Sequence, residues 1–284
     1  MKNTVQDEHH IGRWLEKPVR SSGQTLFRRW VIKTHLVRPG ERLVETLAPY
    51  LVGRLEPQDI LVLSEKVVAV SEGRVVLLSR VKPRAMARFL ARRVRPLGYG
   101  LGLRRPETME MAIREAGSLR ILAAAVAGAL DRFMGRSGGF YRIAGRRVAS
   151  IDGPGPTTIP PFNKYIVLAP HHPEDVLASI QRRFGCEAAV VDVNDVGSEV
   201  LAQTPGLDVR AVQQLLRDNP MGQGAQGTPI GVLRPVREIK EVTDWPNHRA
   251  PSGVAWVMPF GGAADVALRI GADTGDPVER VVDL

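Results

Sequence analysis

The sequence predicts an α/β fold in which helices alternate with the strands of mixed sheets. Three observations carry that reading. Short apolar runs bounded by turn residues, Asp59–Ser64, Ala188–Val193 and Thr228–Arg234, have the length and composition of buried strands. Segments of helical character, Leu43–Val52, Glu174–Phe184 and Val209–Arg217, lie between them. A chain of 284 residues is also long enough for one large or two ordinary domains with buried cores.

In order along the chain, residues 1–29 lack a clean period and are expected to form an arm, so the ordered domain, 30–238, is expected to begin near Arg29. Trp30–Val37 alternates apolar and polar side chains as a strand does, and Pro39-Gly40 supplies a turn before the first helix. The strand Asp59–Ser64 runs into Glu65-Lys66 and the apolar Val67–Val70, closed by Glu72-Gly73. From Lys82 to Arg136 the pattern is helical, with Met86, Phe89, Leu90 and Val94 on one face. Gly98, Gly100 and Gly102 interrupt it, but no strand precedes them, so they are not a dinucleotide fingerprint. Gly138-Gly139 then predicts a turn into a hairpin of Phe140–Gly145 and Arg147–Ile151. A loop rich in Gly and Pro follows, Asp152–Asn163, leading to a strand at Tyr165–Ala169. His171-His172, between prolines, reads as a surface loop leading into the next helix, and 239–284 as a C-terminal extension of different composition.

Composition excludes several functions. The longest apolar stretch, Ile121–Leu130, is too short for a bilayer span, and residues 1–10 carry no apolar run of a secretory signal, so a cytoplasmic protein without a membrane partner is expected. The single Cys186 rules out an internal disulfide, and no Cys/His spacing suits zinc. The net charge of +9 sits in small arginine clusters such as Arg28-Arg29 and Arg146-Arg147, without a nucleic-acid-binding motif beside them. They read as solvated surface, and no nucleic-acid partner is expected.

Two segments suggest chemistry. In Asn219–Arg234 the glycines Gly222, Gly224 and Gly227 let backbone amides approach phosphate oxygens. At the end of the strand Val190–Val193, Asp192, Asn194 and Asp195 offer hard oxygen ligands suited to magnesium or manganese, and strand alternation puts Asp192 and Asn194 on one face. The same residues serve equally well as turn formers. Asp152 joins them only if its loop folds back over Asp192. Lys33, His35, Lys66 and Lys164 are isolated cations beside strand ends. No nucleophile elbow, Walker loop or kinase signature is present.

Assembled in order, Lys33–Gly40, Asp59–Lys66 with Glu72-Gly73, Pro106–Met109, Leu168–Asp175, Met221–Gly224 and Gly227–Pro229 resemble the γ-glutamyl ligase family of the deazaflavin coenzyme F-420, over roughly residues 31–236. The resemblance implies a two-lobed, non-Rossmann fold and a homodimer. It implies GTP-dependent joining of L-glutamate, or a similar amine, to a carboxylate through an acyl phosphate, with divalent metal and a monovalent cation. It places Ile32, Lys33, Thr34 and His35, then Glu65 and Lys66, then Gly222, Gln223, Gly224, Gly227 and Thr228 at the nucleotide, and Asp152 and Asp195 at the metal. Val196 stands where the family has threonine, Val70 where it has a nucleotide lysine, and its Asp-x-Ser-Asn loop is replaced by Asp152–Asn163. Thr157, Thr158 and Asn163 are therefore expected to line an acceptor pocket of altered specificity, unless that stiff loop is a dimer contact. The alternative function is a protein of the same fold that binds a nucleotide or cofactor without ligating anything.

Overall fold

In the computed structural model, the described residues are 11–94, 102–155, 158–194, 197–222 and 226–236, with the backbone of three further strands. The central element is a six-stranded mixed sheet. Its strands are β1 (Trp14–Ser22), β2 (Thr25–Ile32), β3 (Ile60–Ser64), β6 (Glu187–Asn194), β7 (Gly197–Gln203) and β8 (Ile230–Val236), in the order β1-β2-β8-β3-β6-β7. Only β3 and β6 run parallel; every other neighbour is antiparallel. This topology departs from a doubly wound parallel sheet.

Both faces of the sheet are covered, which is why β3 is apolar throughout rather than alternating. Leu61 and Leu63 join Ala188, Val190, Ile230 and Val232 on the face packed by α1 (Leu43–Leu51) and α8 (Pro173–Phe184). Ile60 and Val62 join Ala189, Val191 and Leu233 on the face packed by α9 (Val209–Leu215). Helix α8 starts on Pro173 with Glu174 and Asp175 in its first turn and stops at Gly185, whose φ of 70° a glycine adopts without strain.

A second core lies among helices. It joins α3 (Ala85–Ala91), α4 (Pro106–Ala116), α5 (Ser118–Phe133), α6 (Gly139–Ala144) and α7 (Arg146–Ala149) to a two-stranded sheet of β4 (Val75–Leu77) and β5 (Tyr165–Val167). The short helix α2 (Glu65–Ser71) connects β3 to this unit. Beyond residue 236, β9 (Trp256–Pro259), β10 (Asp265–Ile270) and β11 (Val278–Asp283) form a three-stranded antiparallel sheet.

Three expectations are corrected. The arm 1–29 is in part ordered: β1 and the first residues of β2 fall in it and form a hairpin that runs on to Ile32, and Pro18 together with a bulge between Lys17 and Arg20 conceals the strand period. Such irregularity is tolerated because β1 lies at the sheet edge. The strand predicted over Trp30–Val37 stops at Ile32. The hairpin predicted over 140–151 is the helix pair α6 and α7, separated by Gly145 at φ 92°. Packing against α5 decides this, because a Cβ at Gly139 would stand 2.9 Å from the Ala127 carbonyl and one at Gly128 would stand 3.2 Å from the Phe140 Cβ.

The arginine clusters are not all solvated. Arg29 is 1% exposed and donates to the Pro18 and Leu215 carbonyls and to both oxygens of Asp218. Arg84 and Arg114 likewise hold the buried Glu110. Burial alone would raise Glu110 and Asp218, but the hydrogen bonds and charge of these arginines prevail and lower both carboxyls. A carboxyl lowered on folding contributes stability above its unfolded pKa, about 4, and loses it as pH falls through the lower folded value. Thermal melting at pH 7, 4 and 3 should therefore show stability falling below pH 4. Carboxylate-to-amide variants at both positions should flatten that fall.

Candidate functional site

Strand direction alone gathers the site. Because β8 runs antiparallel to both β2 and β3, its first residue Ile230 pairs with Ile32 at the end of β2 and with Leu63 at the end of β3. Because β6 runs parallel to β3, Ser64 pairs with Val191, one residue before Asp192. Residues 33–35, 64–66, 192–194 and 227–229 therefore emerge at one end of the sheet. Carboxyl ends of neighbouring strands are where open α/β sheets place ligands.

Backbone bonds tie these segments together. Thr34 N–H donates to the Gly227 carbonyl at 3.1 Å, and Ser64 N–H to the Pro229 carbonyl at 2.9 Å. Gly222 and Gly227 hold φ of 71° and 67°, the left-handed region that the glycine-broken sequence requires. A Cβ at Gly227 would stand 3.8 Å from Lys33 Cε and 3.9 Å from Ile159 Cδ1, so the Asp152–Asn163 loop reaches over this corner. The buried Thr228 hydroxyl donates to the Met221 carbonyl at 2.6 Å and closes the glycine loop.

Lys66 stands where this sheet end meets the helical unit. Its ammonium donates to the Ser150 carbonyl at 3.1 Å and lies 3.9 Å from Asp152 Oδ2. Asp152 is positioned by a bridge to Val167 of β5, with backbone bonds of 2.8 and 2.9 Å. Burial works against the charge on Lys66, yet Asp152, Glu65 and Asp192 together outweigh it and raise its pKa. Glu65 is 1% exposed, with no hydrogen-bond partner on either carboxylate oxygen. Burial pushes its pKa up and Asp192 and Asp152 add to that, while Lys66 and the nearby Ser150 hydroxyl oppose it. The result is a charge group in which Lys66 faces Asp152 and also feels the charges of Glu65 and Asp192.

Several sequence-predicted residues have narrower roles here. Ile32 is wholly buried in the core, so only its backbone is available to a ligand. His35 is held by the Tyr50 hydroxyl at 2.6 Å and by Glu41 at 3.4 Å. Asn194 Oδ1 accepts from Gly197 N–H at 3.1 Å and shapes the β6–β7 turn. Thr158 N–H donates to the Gly155 carbonyl. Asn163 Oδ1 is buried without a partner in the turn before β5. His171 and His172 occupy a loop, as expected, with both backbone N–H groups donating to the Glu72 carboxylate. Asp195, Val196, Thr157, Gln223 and Gly224 lie outside the described residues, as do Gly98 and Gly100.

Asp152 lies 3.9 Å from the Lys66 ammonium, and the charge of Asp192 acts on the same group. Among the described residues, no three His, Cys, Asp or Glu side chains converge closely enough to hold an ion. Sequence reasoning missed Tyr50, the Ser150 carbonyl and Ile159, because an aromatic inside an amphipathic helix, a backbone acceptor and a loop aliphatic carry no local signature.

With this geometry in hand, comparison with known proteins places the chain in a class. The F420-0:gamma-glutamyl ligase family matches residues 31–202, more than half of the chain, and the protein belongs to that family. It is thus an enzyme of ligase type. The match ends before Met221, so the glycine loop owes its place at the site to the register of β8. No curated protein matches the sequence. No helix among the described residues is long and apolar enough to cross a membrane.

Proposed function

We propose that the protein is a cytoplasmic, homodimeric ligase, dependent on GTP and a divalent metal, that joins L-glutamate or a similar amine to a substrate carboxylate in coenzyme F-420 biosynthesis. In this reaction the carboxylate attacks the γ-phosphorus of GTP and GDP leaves. The amine then displaces phosphate from the resulting acyl phosphate, forming the amide and giving up a proton.

The observation that carries this reading is the convergence of 33–35, 64–66, 192–194 and 227–229 at one end of the sheet, where Lys66 faces Asp152. Phosphoryl transfer requires positioning and fixed positive charge more than a protein nucleophile. Lys66 supplies such a charge, and Lys33 flanks Gly227 where backbone amides can meet phosphate. Asp152 and Asp192, joined by Asn194 and Asp195, would hold magnesium or manganese, which neutralises phosphate oxygens when bound. A monovalent cation would assist there. The Asp152–Asn163 loop, with Thr157, Thr158 and Asn163, would form one wall of the acceptor pocket. Val196, standing where the family has threonine, favours the second reading, a protein that binds nucleotide without ligation.

Incubating the protein with GTP or ATP, manganese, glutamate and a panel of carboxylate acceptors should give multiple turnovers of GDP or ADP release only when acceptor and amine are both present. Tight nucleotide binding with no turnover on any acceptor would select the second reading. Asp152→Asn and Asp192→Asn should each weaken manganese binding, measured by calorimetry with GTP present. The expected loss is roughly 10–100-fold, the scale of removing even a group that only orients a ligand. Unchanged manganese affinity in both variants would remove these aspartates from the metal site.

A further inference from the structure

The first turn of α4 gathers hydrogen-bond donors that nothing among the described residues uses. Pro106 opens the helix and no side chain caps it, so the N–H groups of Glu107 and Thr108 have no intrahelical acceptor. Thr108 is 0% exposed, and its hydroxyl is buried without a hydrogen-bond partner. Nε of Arg105, the N-cap residue, is buried without one as well. An N–H group can only donate, and a polar group buried without a partner costs stability. Pro106–Met109 is also one of the segments on which the family resemblance rests, and the site described above leaves it without a role.

A second element closes on this turn. A Cβ at Gly153 would stand 3.2 Å from the Thr108 hydroxyl oxygen and 3.8 Å from the Gly102 carbonyl, so the chain just after Asp152 runs against the orphaned hydroxyl. Asp152 itself lies 3.9 Å from the Lys66 ammonium. The loop that brings Ile159 to Gly227 therefore begins at the first turn of α4 and passes the Lys66 corner on its way.

We propose that the first turn of α4 binds an oxyanion of the acceptor, a carboxylate or phosphate group, through the Glu107 and Thr108 N–H groups, the Thr108 hydroxyl and the Arg105 guanidinium. A cluster of donors without acceptors suits a group made only of acceptors, and the positive end of the helix dipole favours its charge. The neighbouring charges agree. Arg104 and Arg105 against Glu107 leave the turn net positive, and Glu110 in the next turn is already held by Arg84 and Arg114. Position selects the acceptor over the nucleotide: the turn meets the start of the Asp152–Asn163 loop, whereas Lys33 and Gly227 meet Ile159 further along it. Arg105 and Thr108 are then specificity-determining residues, because an acceptor lacking the anion leaves buried donors unmet.

This inference rests on the acceptor loop of the proposed function and not on the choice of nucleotide. The backbone amide signals of Glu107 and Thr108 in isotope-labelled protein report binding directly. Titration with inorganic phosphate, and separately with acetate, should shift both signals saturably, and GTP with manganese should leave that response in place. Thr108→Val removes only the orphaned hydroxyl, so the free protein should melt at the same temperature or higher. Its phosphate affinity should fall by roughly 10- to 100-fold, the loss expected for one hydrogen bond to a charged group, and Arg105→Met should do the same. Amides that phosphate and acetate leave unmoved, or unchanged affinity in both variants, overturn the site. Displacement of phosphate by GTP assigns the turn to the nucleotide and overturns the acceptor assignment. Nucleotide turnover in a protein whose amides do not respond strikes this inference alone, whereas responding amides with no turnover on any acceptor strike the ligase reading and leave the oxyanion site standing.

Discussion

Replacing Lys66 by methionine should lower nucleotide turnover by roughly 100- to 1,000-fold, the loss typical of removing one group that stabilises developing transition-state charge. Methionine retains the length of the stem and removes only the ammonium that donates to Ser150 and faces Asp152. The fold should tolerate this. Lys66 is about one-third exposed at its side chain, and the Asp152–Val167 backbone bridge holds the loop independently of it. The three carboxylates around it lose their shared counter-charge, so Glu65 will be driven further toward its neutral form. The decisive measurements are steady-state nucleotide turnover, melting temperature and manganese affinity together. Lost turnover with intact melting and intact or tighter manganese binding is the expected pattern. Turnover within about threefold of the parent would show that Lys66 contributes little transition-state stabilisation.

The largest stability effect is expected at Arg29→Met, about 3 kcal/mol, the low end of the cost of breaking a buried ion pair because Asp218 remains partly exposed. The substitution leaves the Pro18 and Leu215 carbonyls without their donor and the Asp218 carboxylate with only the Arg20 ion pair at 3.3 Å. For a domain of this size that corresponds to a melting temperature lower by roughly 6–12 °C. The neighbouring Arg28→Met is the control. Arg28 forms a half-exposed pair with Glu16 and lies over the Trp30 ring, contacts worth about 1 kcal/mol or less. Similar melting temperatures for the two variants would refute the distinct role assigned to Arg29.

Much of the site was legible because its parts are local. Asp192 ends a strand that its apolar run identifies, and the glycine loop announces positive φ through glycine itself. The order of the family motifs, beginning near residue 31, was readable for the same reason. Their convergence was not, since no local pattern tells that β3 pairs parallel with β6 while β8 inserts antiparallel between β2 and β3. The 140–151 segment shows the limit from the other side. The Gly138-Gly139 turn and the two short segments after it suited a hairpin, and close contact with α5 made them helical.

The sequence by itself determined the α/β class, the apolar strands, the helix α8 bounded by Pro173 and Gly185, and the residue types able to bind phosphate and metal, because each depends on neighbours within a few positions. Tertiary structure alone decided which of two adjacent arginines is buried. Arg28 and Arg29 are chemically identical, but alternation along β2 turns one outward toward Glu16 and the other inward onto Asp218, nearly two hundred positions away. It likewise decided that one lysine faces Asp152 from a distant loop while feeling the charges of Glu65 and Asp192, and that Leu119, Leu122, Val126, Leu130 and Phe133 of α5 are left exposed by the other described residues. Long-range packing sets the solvation and charge around a side chain, and with them what an identical residue can do.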